Sequence, residues 1–211
     1  VQSPALRILV EREREIRAFK SHKFWVISAD VENKDKEKFT VVCEKEPTDK
    51  NETDQIVSIG KKENWVVKDI AETETKRTPR PPFITSTLQQ AASSRLGMSP
   101  SNTMRVAQKL YETGHITYMR TDSIILSSTA ITQIKNIIEK KFGAELFTAR
   151  VFTKKSKNAQ EAHEAIRPTK LNIESAGETE QEKKLYELIW QRTVSSQMKD
   201  AKISKTKIFV K

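Results

Sequence analysis

Two glycines and a Ser-Pro pair divide the middle of this chain in a way that few folds can accommodate. Thr85 or Ser86 caps a predicted helix that runs to about Leu96, where Gly97 ends it. Leu88, Ala91, Ala92 and Leu96 give that helix one small apolar face. Ser99 caps the next helix and Pro100 occupies its first turn. Met104, Ala107, Leu110 and Tyr111 form its apolar stripe, and Gly114 stops it. Two short helices joined by a tight turn and followed by strand-like residues predict a helix-turn-helix with a wing. The residues after Gly114, from His115 through Ile116, Thr117, Tyr118, Met119, Arg120, Thr121 and Asp122 to Ser123, are too polar for a core strand and too β-branched for a comfortable helix. They set a phenol two positions from a guanidinium. A phenolate oxygen can attack phosphorus, and a planar fork of donors can hold phosphate oxygens. On its own, such a pair more often means a packed tyrosine beside a surface arginine.

The rest of the chain narrows the choice. It has 38 Lys and Arg against 28 Asp and Glu, a net charge of +10, which favours a polyanionic partner. Its 211 residues suit one to two domains. The single cysteine, Cys43, can form neither an internal disulfide nor a cysteine-rich zinc site, so a reducing, cytoplasmic setting fits. No apolar run approaches the roughly 20 residues of a membrane span, and no signal peptide is visible. Both ends look cut: the chain opens on Val1 within a helix-leading stretch and closes on a strand-like alternation. It reads as a piece of a longer protein.

Pro4 to Phe19 reads as a helix whose Glu11 to Glu15 stretch alternates in sign, the pattern of a solvated face. Strand-like runs follow at Phe24–Ile27, Phe39–Cys43 and Trp65–Ile70, separated by polar stretches including Glu46 to Asp54. Lys76 to Pro82 is a basic, proline-rich linker and a natural domain boundary. Ser127 to Phe142 predicts an amphipathic helix with Ile131, Ile134, Ile138 and Phe142 on its core face. Glu180 to Met198 predicts a long one with Leu185, Leu188 and Ile189 inward. Ala201 to Lys211 alternates like a strand returning to the earlier sheet. Lys154 to Gln160 is a basic loop that suits phosphates or water equally. The His163-Glu164 pair starts like a zinc-protease signature, but Arg167 stands where the second histidine is needed, so that reading fails.

Four segments, in order along the chain, resemble one family. Gly114 to Ser123 resembles the active-site motif of type IA DNA topoisomerases. Arg80 to Ala92 resembles the segment upstream of it, Ala162 to Thr169 the segment downstream, and Val1 to Arg7 running into Val10–Glu15 a fourth. Met119, between tyrosine and arginine, favours the topoisomerase I branch over topoisomerase III, where proline is typical. Reverse gyrase shares the residues from Met119 to Ser123.

The resemblance implies an α+β architecture in a fragment of a toroidal multi-domain enzyme, with a helical, winged-helix-like tyrosine domain inserted into a β-rich arch. Residues 1–19 would end a helical gate-base domain and 20–76 would form the first part of the arch. Residues 77–199 would form the tyrosine domain, and 200–211 a truncated return strand. It implies Tyr118 as nucleophile, with Arg120 and His163 beside it as catalytic residues. Gln2, Gln108, Glu112, Thr117, Thr121 and Asp122 are the implied DNA-binding positions. The partners would be single-stranded and negatively supercoiled DNA. A free phenol titrates near about 10, so a nucleophilic tyrosine needs a cationic neighbour. Family enzymes also carry an acidic cluster with an Asp-x-Asp pair for Mg²⁺, and this chain has no Asp-x-Asp. The expectation is therefore a tyrosine-bearing segment whose Mg²⁺ ligands lie in another domain of the same protein, unable to relax DNA alone. The competing class is a winged-helix DNA-binding module that does no chemistry.

Overall fold

The computed structural model describes residues 2–152 and 164–211. Helices and short strands are mixed, and the chain forms two compact units: Val1–Thr73 with Thr206–Lys211, and Glu74–Lys205.

The first unit begins with helix α1, Gln2–Ala18. Its alternating charges pair along the helix, Arg7 with Glu11, Arg12 with Glu15 and Arg17 with Glu13, all at 2.7 to 2.9 Å. Such exposed pairs contribute little. Strands β1, Ser28–Glu32, and β2, Lys38–Val42, form an antiparallel hairpin that pairs Ser28 with Val42 and Glu32 with Lys38. The first ladder lies past Phe24–Ile27, where the sequence pattern put it. The turn at Asn33–Glu37 sets the register: the Asn33 carboxamide accepts from the amides of Asp35 and Glu37, and the strands zip up beside it. The aromatic run ahead of it makes single backbone bonds instead, Trp25 to Pro47 and Cys43 to Ile27.

Helix α2, Lys50–Lys62, falls where the sequence read as a polar separator. Asp49 caps it by accepting from the Glu52 amide. A capping residue three before a glutamate was the available signal, and the sparse apolar residues hid the periodicity. Strands β3, Val67–Arg77, and β4, Ala201–Val210, pair with each other and run through the boundary between the two units.

The buried hydrophobic core lies entirely within the second unit, between Phe83 and Val194. Four helices build it: α3, Thr85–Leu96; α4, Pro100–Glu112; α5, Ser128–Lys141; and α6, Glu180–Ser195. Leu88 and Ala92 of α3, Val106 and Leu110 of α4, Ile134 and Ile138 of α5, and Leu185 and Ile189 of α6 meet in one cluster. The N-cap of α3 is Ile84, one residue earlier than expected, and the Thr87 hydroxyl accepts its amide. On α4 the buried stripe is Thr103, Val106, Ala107 and Leu110; Met104 is only half-buried and Tyr111 is exposed. Phe142, expected in the core, caps α5 and is exposed. Helix α6 stops at Ser195, short of Met198, because Gln197 folds back. Its carboxamide accepts from the Arg150 amide and donates to the Arg150 carbonyl.

Tyr186 lies fully buried, and its hydroxyl reaches the Ile173 and Lys170 carbonyls at 2.9 and 3.2 Å. Burial pushes its phenol up to about 12. Among the described residues no strand lies between α4 and α5, where the sequence predicted a wing. From Gly114, whose φ of 73° closes the helix, the chain runs through bends and irregular backbone to Ser127. Its backbone bonds go to the Thr85 hydroxyl, to the Ala165 amide and to a single bridge, Ile116 with Pro168, rather than to a ladder.

Candidate active site

Three segments far apart in sequence meet inside the second unit: 83–85 at the start of α3, 116–123 after α4, and 164–168. Two threonines join them with mirrored sets of bonds. The Thr85 hydroxyl donates to the Met119 carbonyl at 2.8 Å, with the Thr121 carbonyl at 3.1 Å, and accepts the Thr121 amide at 3.0 Å. The Thr85 amide donates to the Thr121 carbonyl. On the other side, the Thr117 hydroxyl donates to the Ala165 carbonyl at 2.7 Å and accepts the Arg167 amide at 2.9 Å, while the Thr117 amide donates to the Arg167 carbonyl. The residues between these two anchors have little freedom.

Side chains alternate along this tethered segment. Met119 is 1% exposed and Thr121 7%, whereas Tyr118 is 41% exposed and Arg120 and Asp122 are also open to solvent. The alternation of burial leaves Tyr118, Arg120 and Asp122 exposed while the residues between them are buried. The buried Met119 is the packing anchor that holds them there. The Tyr118 ring meets the Tyr111 ring edge-on, with centroids 5.2 Å apart. Next to the segment is an open cleft of about 440 Å³, lined by Ile84, Thr85, Ser86, Gln89, Arg120, Thr121 and Asp122. Its lining holds the Arg120 guanidinium, the Ser86 hydroxyl and the Gln89 carboxamide, donors suited to phosphate oxygens, together with the Asp122 carboxylate.

The segment carrying 164–168 is braced by an ion pair. Arg167 grips Glu164 with two bonds of 2.8 Å, and the same carboxylate accepts the Ser127 amide at 2.8 Å. Burial opposes ionisation of Glu164, but the bonds from Arg167 and Ser127 outweigh it and hold the carboxyl below its usual range. A depressed carboxyl contributes stability that is present above its unfolded value, near about 4.3, and is lost as pH falls through the lower folded value. Glu164→Gln should therefore cost about 1.5–3 kcal/mol at neutral pH. In urea titrations at stepped pH, the gap between wild type and variant should close below the usual carboxylate range. A gap that does not change with pH would rule out the ionic contribution.

The sequence-derived positions separate as follows. Tyr118, Arg120, Thr121 and Asp122 lie together, with Thr117 in the same tethered segment. The hydroxyls of Thr117 and Thr121 are occupied by the backbone, that of Thr121 accepting the Ser123 amide. Gln108 and Glu112 on α4 bond to each other at 2.7 Å, whereas Arg105 turns back to Asn102. Gln2 opens α1 in the other unit, and its side chain lies outside what the structure describes. His163 also lies outside the described residues. Sequence reasoning missed Thr85, Ser86 and Gln89 as cleft residues, and Glu164 and Arg167 as a brace. The first three stand in the motif upstream of the tyrosine, where they read only as a helix cap and a helix face. Among the described residues no three His, Cys, Asp or Glu side chains gather as metal ligands, so these residues do not fit a Mg²⁺ site. No helix among them is long and apolar enough to cross a membrane.

An exposed phenol and an exposed arginine thus lie two residues apart on a tethered segment, in a body of mixed helix and strand. The family model for DNA topoisomerase matches residues 1–211, and the chain belongs to that family. It is 42% identical over its whole length to DNA topoisomerase 1 of Escherichia coli, and 43% identical over 95% of its length to that of Rickettsia felis. Topoisomerase I from Thermotoga maritima shares the fold, with a TM-score of 0.75 and 33% identity over 99% of this chain and 35% of that one. These relatives place the chain with the type IA enzymes. It spans 25% of the E. coli protein and 29% of the R. felis protein.

Proposed function

We propose that this chain is the strand-breaking portion of an ATP-independent type IA topoisomerase acting on single-stranded stretches of negatively supercoiled DNA. The observation that carries the reading is the exposure of Tyr118 and Arg120 on either side of a buried Met119, with Arg120 lining an open cleft. The Tyr118 phenolic oxygen attacks a backbone phosphorus. The bond from phosphorus to the 3′ oxygen of the neighbouring sugar breaks, and that oxygen leaves with a proton as a hydroxyl. The phenolic proton is the one released on attack, so the exchange is balanced. The strand remains joined to the protein by a 5′-phosphotyrosine, and the reverse attack by the 3′ hydroxyl reseals it. One phosphodiester replaces another, which is why no nucleotide is consumed.

Arg120 holds the non-bridging oxygens as negative charge develops on them. Thr85, Thr117 and Thr121 keep the segment in place. Asp122, Gln108, Glu112 and Gln2 are assigned to DNA contact, and His163 to proton movement or phosphate contact. Mg²⁺ would be held by an acidic domain of the same protein, completing a closed, toroidal assembly in the cytoplasm. Residues 1–19, 20–76, 77–199 and 200–211 are assigned to gate base, arch, tyrosine domain and returning arch strand.

The test is trapping. The whole protein is mixed with an end-labelled single strand and denatured, and the protein band is examined for label. A covalent adduct supports the reading, while reversible binding with no adduct would leave only a DNA-binding module. The isolated 211-residue chain, given Mg²⁺, should not relax a supercoiled plasmid.

A further inference from the structure

Three arginines from separate parts of the chain lie in the second unit, with Arg80 and Arg95 near enough for their charges to bear on Arg192. Arg192 on α6 lays its guanidinium over the ring of the fully buried Phe83, 4.1 Å from the centroid. It also donates to the Pro81 carbonyl at 3.4 Å, which places it next to Arg80. Pro79, Pro81 and Pro82 surround Arg80 and restrict the backbone that carries it. Arg95 sits in the last turn of α3, and α3 packs against α6.

None of the three meets a carboxylate among the described residues, although the chain forms many exposed ion pairs elsewhere. Burial, and then the charges of Arg80 and Arg95, hold Arg192 below the usual guanidinium range. Gathering like charges without a counterion is unfavourable. Covering Phe83 accounts for Arg192 but for neither Arg80 nor Arg95.

We propose that Arg80, Arg95 and Arg192 form a binding site for the phosphates of a single DNA strand, separate from the cleft beside Tyr118. Guanidinium forks suit phosphate oxygens, and a site built from charge with no base-reading partner recognises the backbone whatever the sequence. The site takes its choice of polyanion from the proposed function. Arg80 and Arg95 position the strand electrostatically, and Arg192, stacked on Phe83, is the rigid member.

The test compares three forms of the whole protein: wild type, the exposed pair Arg80→Gln with Arg95→Gln, and a charge-matched control, Lys140→Gln with Lys184→Gln. Affinity for a fluorescent single-stranded oligonucleotide is measured by anisotropy across a salt series. In the arginine variant the slope of log affinity against log salt should become shallower by about 1.4, at about 0.7 for each single-strand phosphate released. Affinity at low salt should fall about tenfold for every sequence tried. The lysine control should follow wild type. Wild-type slope and affinity in the arginine variant would overturn the proposal. So would an equal loss in the lysine control, which would mean that bulk charge alone is felt. Wild-type DNA binding with a lowered melting temperature would point instead to docking on an acidic surface of the protein itself, and would also overturn it. The two readings fail separately. An absent covalent adduct in wild type removes the tyrosine chemistry and leaves the salt slopes standing, whereas unchanged slopes remove the arginine site and leave the adduct standing.

Discussion

Tyr118→Phe should abolish the covalent adduct in the whole protein while leaving its melting temperature close to wild type. The variant removes one oxygen. The ring is 41% exposed, and its contact with Tyr111 is edge-on, a packing that phenylalanine keeps. No hydrogen bond to the Tyr118 hydroxyl occurs among the described residues, so its loss strands no buried partner. Removing a nucleophile costs on the order of 10⁶-fold in rate where it has been dissected in other enzymes, so the adduct should fall to background. Adduct at wild-type level in Tyr118→Phe would remove the side chain from its role.

Thr85→Val has the second largest expected effect, and it acts without touching DNA. Valine keeps the shape and loses the hydroxyl that serves the Met119 carbonyl and the Thr121 amide. An unsatisfied buried group costs about 1–3 kcal/mol, so a loss of roughly 2–3 kcal/mol in urea unfolding is expected. The kinetic consequence is more telling. Thr85 pins the two residues on either side of Arg120, and a displacement of about 1 Å at a reacting group costs about 10²-fold. Adduct formation should therefore slow by about that factor at saturating DNA, with affinity nearly unchanged. Slowed binding with normal chemistry would instead make Thr85 a DNA contact. Thr85→Ser, which restores the hydroxyl, should recover most of the rate.

What the sequence disclosed, and what it did not, follows from how each feature is encoded. Caps, helix-breaking glycines and apolar spacing are local, so α4 and α5 begin where Ser99 and Ser127 say they should. Helix α2 escaped notice because its apolar side chains are few and a polar run hides a cap. The expected wing failed for a different reason. The β-branched residues after Gly114 suit a strand, but their partners are the Thr85 hydroxyl on one side and the backbone of Ala165 and Arg167 on the other, and no local rule foretells a bond across 36 or 48 residues. Tyr118 and Arg120 were legible as chemistry because they lie two apart. The cleft that Arg120 lines was not, since Ser86 and Gln89 approach Arg120 only through the tertiary fold. The three-arginine group was invisible for the same reason: its members lie at 80, 95 and 192.

The most direct measurement is to find the atom that carries the DNA. Tryptic digestion of the trapped adduct should release Leu110–Arg120 joined to a nucleotide, and that peptide holds two of the chain's three tyrosines, Tyr111 and Tyr118. Both rings are exposed and they touch, so the choice between them is a real one. Fragmentation that puts the 5′-phosphate on Tyr118 is the predicted result. A nucleotide on Tyr111, or on any residue outside this peptide, would contradict the account.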